Sequence, residues 1–147
     1  MSSILSFLTE DHRNCDQSFA KMEESASSRS SNLPELYGKF HEEMEHHFCL
    51  EEKILFPAMV QITGSEAGPI MVMKMEHEQM RNLFGRMEEC VKTDTEEFLS
   101  LCETLNIMIQ QHNIKEEQIL YPMAQNLLQN SSSEILARFQ EGLCRKD

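Results

Sequence analysis

Among the six histidines of the chain, His12 and His47 recur 65 residues later as His77 and His112, and Glu51 recurs as Glu116 at the same offset. Their surroundings recur with them. The stretch from Asp11-His12 to Glu23-Glu24 lies over that from Glu76-His77 to Glu88-Glu89. Without a gap, His47-Phe48-Cys49-Leu50-Glu51-Glu52-Lys53-Ile54-Leu55-Phe56-Pro57 lies over His112-Asn113-Ile114-Lys115-Glu116-Glu117-Gln118-Ile119-Leu120-Tyr121-Pro122. Imidazole nitrogen and carboxylate oxygen suit borderline and hard metals such as iron or manganese, with zinc as a substitute, and one carboxylate can bridge two cations. Four imidazoles and two carboxylates gathered inside a fold are costly to desolvate unless cations pair them. A single H-x-x-x-E on a helix is ordinarily a solvated polar pair. Two copies in register with two further histidines point instead to a two-metal site made of His12, His47, Glu51, His77, His112 and Glu116. Such ligands must be deprotonated, so affinity should fall as pH drops through the histidine range.

Helices can bring these residues together. Breaker chemistry occurs at Ser25 to Pro34, at Thr63-Gly64 to Gly68-Pro69, and at Lys92 to Thr95, dividing the chain into segments of helical length. The spacing predicts helices over about 3–26, 34–61, 67–91 and 95–129. A capping-box pattern, Ser131 with Glu134, opens a short terminal helix from Ile135 to about Leu143, expected to cover one end of the molecule or meet a partner. Pro57 and Pro122 fall late in the second and fourth segments, where each should kink or end a last turn. The midpoints between successive repeat histidines fall at Arg29-Ser30, Ile62 and Asp94-Thr95, each in or beside a predicted turn. Chains that climb and descend equally return to one height, so the four histidines can share a level. Glu51 and Glu116 sit about 40° round the helix from His47 and His112, on the same stripe. Glu52 and Glu117 lie about 140° away and read as outer-face charges. The expected architecture is all-α, an up-down-up-down four-helix bundle with a short C-terminal helix, forming one domain over 1–147.

Composition narrows the partners. With 25 acidic against 13 basic residues, the formal net charge is −12, so nucleic acid and anionic membranes are poor partners. The chain starts without a basic segment ahead of an apolar stretch, and no run approaches the roughly 18 apolar residues of a membrane span. A cytoplasmic monomer or homodimer is expected. The five cysteines, Cys15, Cys49, Cys90, Cys102 and Cys144, are odd in number and contain no C-x-x-C. Reduced thiols are therefore expected, and Cys49 is weighed for a redox role against service as a small apolar residue. Methionines such as Met71, Met73, Met75, Met80 and Met87 read as core filler rather than copper ligands.

The H-F-x-x-E-E of His47 to Glu52, the H-x-x-x-E-E of His112 to Glu117 and the Glu76-His77 pair resemble the hemerythrin-like, or HHE cation-binding, domain family over roughly residues 3–129. The resemblance implies a non-haem diiron centre, with His12, His47, His77 and His112 as terminal ligands and Glu51 and Glu116 bridging. Oxygen-carrying members place a further histidine one turn before the third-helix histidine, where this chain has Met73, and Leu8 is its repeat counterpart. The resulting 4-His/2-Glu set is similar to that of diiron proteins associated with repair of damaged iron centres. His41 or His46 could supply a fifth imidazole, although the repeat has Asn106 and Gln111 in their places. Glu43 and Glu76 could relay protons or line an iron exit, or be surface charges. Six protein ligands are fewer than two octahedral irons need, so each metal should keep a position for a small ligand, and a module that binds or senses O2, NO or peroxide is expected. The alternative is a diiron oxidoreductase or iron donor in oxidative or nitrosative stress and iron-sulfur repair, and a third reading is a structural bundle with a vestigial metal.

Overall fold

The computed structural model describes residues 3–141 and residue 144. Helix α1 (Ile4–Ser27) opens on a capping box in which the Ser3 hydroxyl accepts from the Ser6 backbone N–H and Ser6 answers at the Ser3 N–H, satisfying two otherwise orphaned donors. It buries Ile4, Leu8, Cys15, Phe19, Met22 and Ala26 along one stripe, the spacing of an amphipathic helix. A turn with Arg29 at φ 57°, held by Ser25 and Ser30 hydroxyls on Asn32 Oδ1, leads to α2 (Leu33–Cys49). The chain then widens into a π-helical segment, Leu50–Leu55, and continues as α3 (Phe56–Thr63). Gly64 at φ 79° ends α3 in a left-handed conformation that favours glycine. Helix α4 (Pro69–Cys90) and helix α5 (Thr95–Lys115), the latter capped by Asp94 accepting from the Glu97 N–H, follow. A second π segment, Glu116–Leu120, joins α5 to α6 (Tyr121–Leu127), and a short 3-10 turn leads to α7 (Ser132–Gln140).

The chain is all-helical among the described residues, as the apolar periodicity predicts. Helix α1 packs along α2, α4 along α5, and α1 also meets α5 and α6. Two apolar cores result. One holds Phe19, Met22, Phe40, Phe84, Phe98 and Leu105, and the other holds Ile4, Leu8, Ile54, Phe56, Tyr121 and Phe139. Along each long rod the changeover from one core to the other falls at the repeat histidine. The site is thus a polar layer clamped between two apolar ones.

Several local expectations need correction. Pro57 and Pro122 do not end their rods: backbone angles stay helical through Leu55-Phe56 and Leu120-Tyr121. The wider turn just before each proline explains this, since a proline has no N–H to give and its ring crowds the carbonyl four residues back. Ser131 makes no capping hydrogen bond to α7 and its hydroxyl turns back to the Leu128 carbonyl at 3.5 Å. Helix α7 begins directly after Ser131, where the capping pattern places its start, and Leu143, its predicted end, lies outside the described residues. Phe139 stacks on Phe7 of α1 at 5.2 Å, so α7 covers the second core. Met73, Met80 and Met87 are core residues, but Met71 and Met75 point outward. Cys49 and Cys144 form a disulfide across 95 residues, with Cα atoms 5.8 Å apart, against the expectation of reduced thiols. Sequence spacing carries no information about that approach, which arises from α7 packing on the first π segment. Cys15, Cys90 and Cys102 are free and buried.

Candidate metal centre

The six repeat residues come from six different stretches: His12 from α1, His47 from α2, Glu51 from the first π segment, His77 from α4, His112 from α5 and Glu116 from the second π segment. All are at most 2 % exposed. They form two groups, each with ligand atoms within 4.8 Å of one another: His12, His47, Glu51 and Glu116, and Glu51, His77, His112 and Glu116. The two carboxylates belong to both. Glu51 turns Oε2 to His47 Nε2 at 3.2 Å and Oε1 to His77 Nε2 at 2.9 Å. Glu116 turns Oε1 to His12 Nε2 at 2.9 Å and Oε2 to His112 Nε2 at 3.2 Å. Each carboxylate therefore spans the groups with one oxygen apiece, which also shows how the histidines pair.

Behind every imidazole stands another carboxylate. His12 Nδ1 lies 2.8 Å from Glu117, His47 Nδ1 2.7 Å from Asp11, His77 Nδ1 2.5 Å from Glu52 and His112 Nδ1 2.8 Å from Glu76. A carboxylate only accepts, so each Nδ1 carries the proton and donates it, leaving Nε2 facing inward. Cations anchor this outer ring: Arg13 holds Glu117 at 3.2 Å, Arg81 holds Glu52 at 3.0 Å, and Lys115 holds Glu76. Burial alone would raise the carboxyl pKa of Glu52, but His77 and Arg81 outweigh it and hold the group at about 2. Asp11, Glu76 and Glu117 are lowered in the same way, burial being overcome at Asp11 by His47, at Glu76 by Lys115 and His112, and at Glu117 by His12 and Arg13.

Sequence reasoning placed Glu52 and Glu117 correctly off the inward stripe of their own helices but missed what they reach on the neighbouring one. Asp11 was not singled out, and Glu76 orients His112 rather than standing free. The signal was available, since all four outer pairs obey the 65-residue offset. His41 instead lies flat on Tyr37 at 5.7 Å and pairs with Glu45 at 3.8 Å. His46 lines a cleft of 370 Å³ between α1 and α2, together with Asp11, Cys15, Ser18 and Glu43. Neither belongs to the two groups. Glu43 takes the Ser18 hydroxyl and pairs with Lys39. The repeat-related cleft measures only 60 Å³, because Met80 and Met108 stand where Cys15 and Glu43 stand in the first.

The donor set fits cations. Five buried side-chain nitrogen or oxygen atoms among the described residues make no hydrogen bond, and four of them are Glu51 Oε1, His77 Nε2, His112 Nε2 and Glu116 Oε2. His77 Nε2 and Glu51 Oε1 approach to ion-pair distance without hydrogen-bonding alignment, so they converge on a common point rather than on each other. An unsatisfied buried polar group costs about 1–3 kcal/mol, and a cation at that point satisfies all four. Burial would strip protons from these imidazoles, but the facing carboxylates prevail, lifting His77 to about 9 and raising His47 and His112 as well. Tyr121, whose hydroxyl lies 2.5 Å from Glu51 Oε2 and 2.9 Å from Glu116 Oε1, was missed as a site residue. The same oxygen is 3.1 Å from Nε2 of both His12 and His47.

The chain belongs to the hemerythrin HHE cation-binding domain family, whose model matches residues 3–124. It is also 35% identical to a protein named iron-sulfur cluster repair protein YtfE from Escherichia coli O81 (strain ED1a), over 57% of this chain and 43% of that one. The counterpart of the same name from Escherichia fergusonii is 34% identical over the same shares. The chain therefore spans less than half the length of these curated relatives. No solved structure matches it significantly. No helix among the described residues is long and apolar enough to cross a membrane.

Proposed function

We propose that the chain is a single-domain, up-down-up-down four-helix bundle that holds two iron ions: one between His12 and His47, the other between His77 and His112, with Glu51 and Glu116 bridging. The observation that carries this reading is the convergence of four unsatisfied buried atoms, from Glu51, His77, His112 and Glu116, on one point. When bound, an iron pair supplies one-electron redox chemistry and positions for a small ligand such as O2, NO or peroxide. The chain's own residues do the rest. The four inward Nε2 atoms and two bridging carboxylates bind, and the outer carboxylates fix the tautomer and ring angle. The rings of Phe48 and Phe56, 4.0 and 6.2 Å from that of His77, keep bulk water from that face.

Metal analysis of the wild type beside Glu51→Ala and Glu116→Ala tests the reading. Two irons per wild-type chain and near-complete loss in each variant are expected, because each carboxylate faces both groups. Full occupancy in both variants would refute the bridging roles. A second reading, iron donation in repair of damaged iron-sulfur centres under stress, is favoured by the names of the relatives. Exposure of the reduced, iron-loaded chain to NO and then to an apo iron-sulfur acceptor separates the two. A persistent NO-dependent absorption band with iron retained supports ligand binding, whereas transfer of iron to the acceptor supports donation.

A further inference from the structure

The two halves of the centre are unequal at one position. In the repeat, Tyr121 stands where the first half has Phe56, and both follow a π segment closed by an N–H to the carbonyl five residues back, Tyr121 to Glu116 and Phe56 to Glu51. In an α-helix a residue five places on would stand about 140° round the axis and miss the site. The π turn brings it beneath the bridging glutamate instead. The Tyr121 hydroxyl thereby reaches one half of the centre, where Phe56 offers no donor to the other.

The distances say what that oxygen is placed to do. It lies 3.1 Å from His12 Nε2, 3.1 Å from His47 Nε2, 2.5 Å from Glu51 Oε2 and 2.9 Å from Glu116 Oε1. A phenol offers at most one proton and two lone pairs, fewer than these four neighbours. Adjacent donors in an octahedral sphere of radius about 2.1 Å stand about 3.0 Å apart, and neighbours at 2.5 to 3.1 Å bracket that spacing, so this oxygen is placed to serve as a further vertex once its hydrogen bond to Glu51 is given up. The four atoms that remain unsatisfied belong to the other group, which has no such oxygen. We propose that Tyr121 is a phenolate ligand of the metal held by His12 and His47, so that the two metal positions are chemically distinct and the small ligand binds at the His77–His112 position. On loading, the metal–oxygen bond forms as the phenol O–H breaks, and the proton passes to solvent.

This inference rests on the two-metal reading above, and one set of samples separates their failures. Iron-loaded, oxidised wild type and Tyr121→Phe are compared by absorption and resonance Raman spectroscopy, with iron content measured on the same material. The wild type should show a phenolate-to-iron(III) charge-transfer band and phenolate ring modes. Tyr121→Phe should lose both and keep the wild-type iron content. The only other tyrosine, Tyr37, donates its hydroxyl to the Phe84 carbonyl at 2.9 Å within the first core, so it cannot be the source. A wild type that holds two irons without phenolate modes, or a Tyr121→Phe that keeps them, overturns the inference and leaves the two-metal reading standing. A wild type that takes up no iron overturns both.

Discussion

A histidine ligand is only as well placed as the group behind its second nitrogen, and behind all four candidate ligands that group is a carboxylate. Removing one tests how much the outer ring contributes. Glu52→Ala is expected to weaken metal binding by about 10–100-fold, measured by competition against a chelator of known affinity. His77 would lose the acceptor that aims Nε2 inward, and Arg81 would lose one of the three carboxylates it holds, keeping Glu45 and Glu78. Unchanged affinity would mean that packing against Phe48 alone orients the ring. The six inner residues were legible because one translation relates them and the Glu51 and Glu116 stripes follow from helix geometry. Asp11, Glu52 and Glu117 take part in the same translation, but which histidine each serves was not legible, because each acts across to a different helix, and periodicity within one helix is blind to its neighbour. Tyr121 was hidden for another reason: α-helical geometry turns it away from Glu116.

That second reason belongs to the elements. The long helical segments and their turns could be read from apolar spacing and from Gly, Pro and Ser clusters, but nothing in residue propensity announces a π turn. In retrospect the pointer is the proline at the same place in both repeats, immediately after each widened turn. The terminal helix is a different kind of miss. Its existence was legible, while its attachment through Cys49–Cys144 depends on where α7 lands. That link closes a long loop and lashes the C-terminal segment to the rod bearing His47 and Glu51. Reduction, or Cys49→Ser, is expected to lower unfolding stability by about 2–4 kcal/mol, read as a lower midpoint in chemical denaturation with faster amide exchange in α7. An unshifted midpoint would show that Phe7, Ile135 and Phe139 hold α7 without help.

At the scale of the whole molecule, a strongly acidic exterior surrounds two apolar cores with a charged layer between them. How firmly this interior stays shut can be read from its thiols. Burial first of all pushes the Cys15 and Cys102 thiols up to about 12, so at pH 8 they are almost wholly in the unreactive neutral form. The native chain should label slowly with a thiol reagent at pH 8 and expose three reactive thiols only on denaturation without reductant. Immediate reaction of the native chain would show an interior open to solvent. One further property follows from the way the outer pairs are wired. His47–Asp11 and His112–Glu76 each stay inside one half of the repeat, whereas His12–Glu117 and His77–Glu52 cross between halves in a reciprocal exchange. That is the wiring of a symmetric dimer written into a single chain. Neither hairpin supplies either candidate group by itself, because each group includes a carboxylate from the opposite half. The centre is therefore also a clasp, and the short connection at 64–68 decides only that the two partners are always within reach.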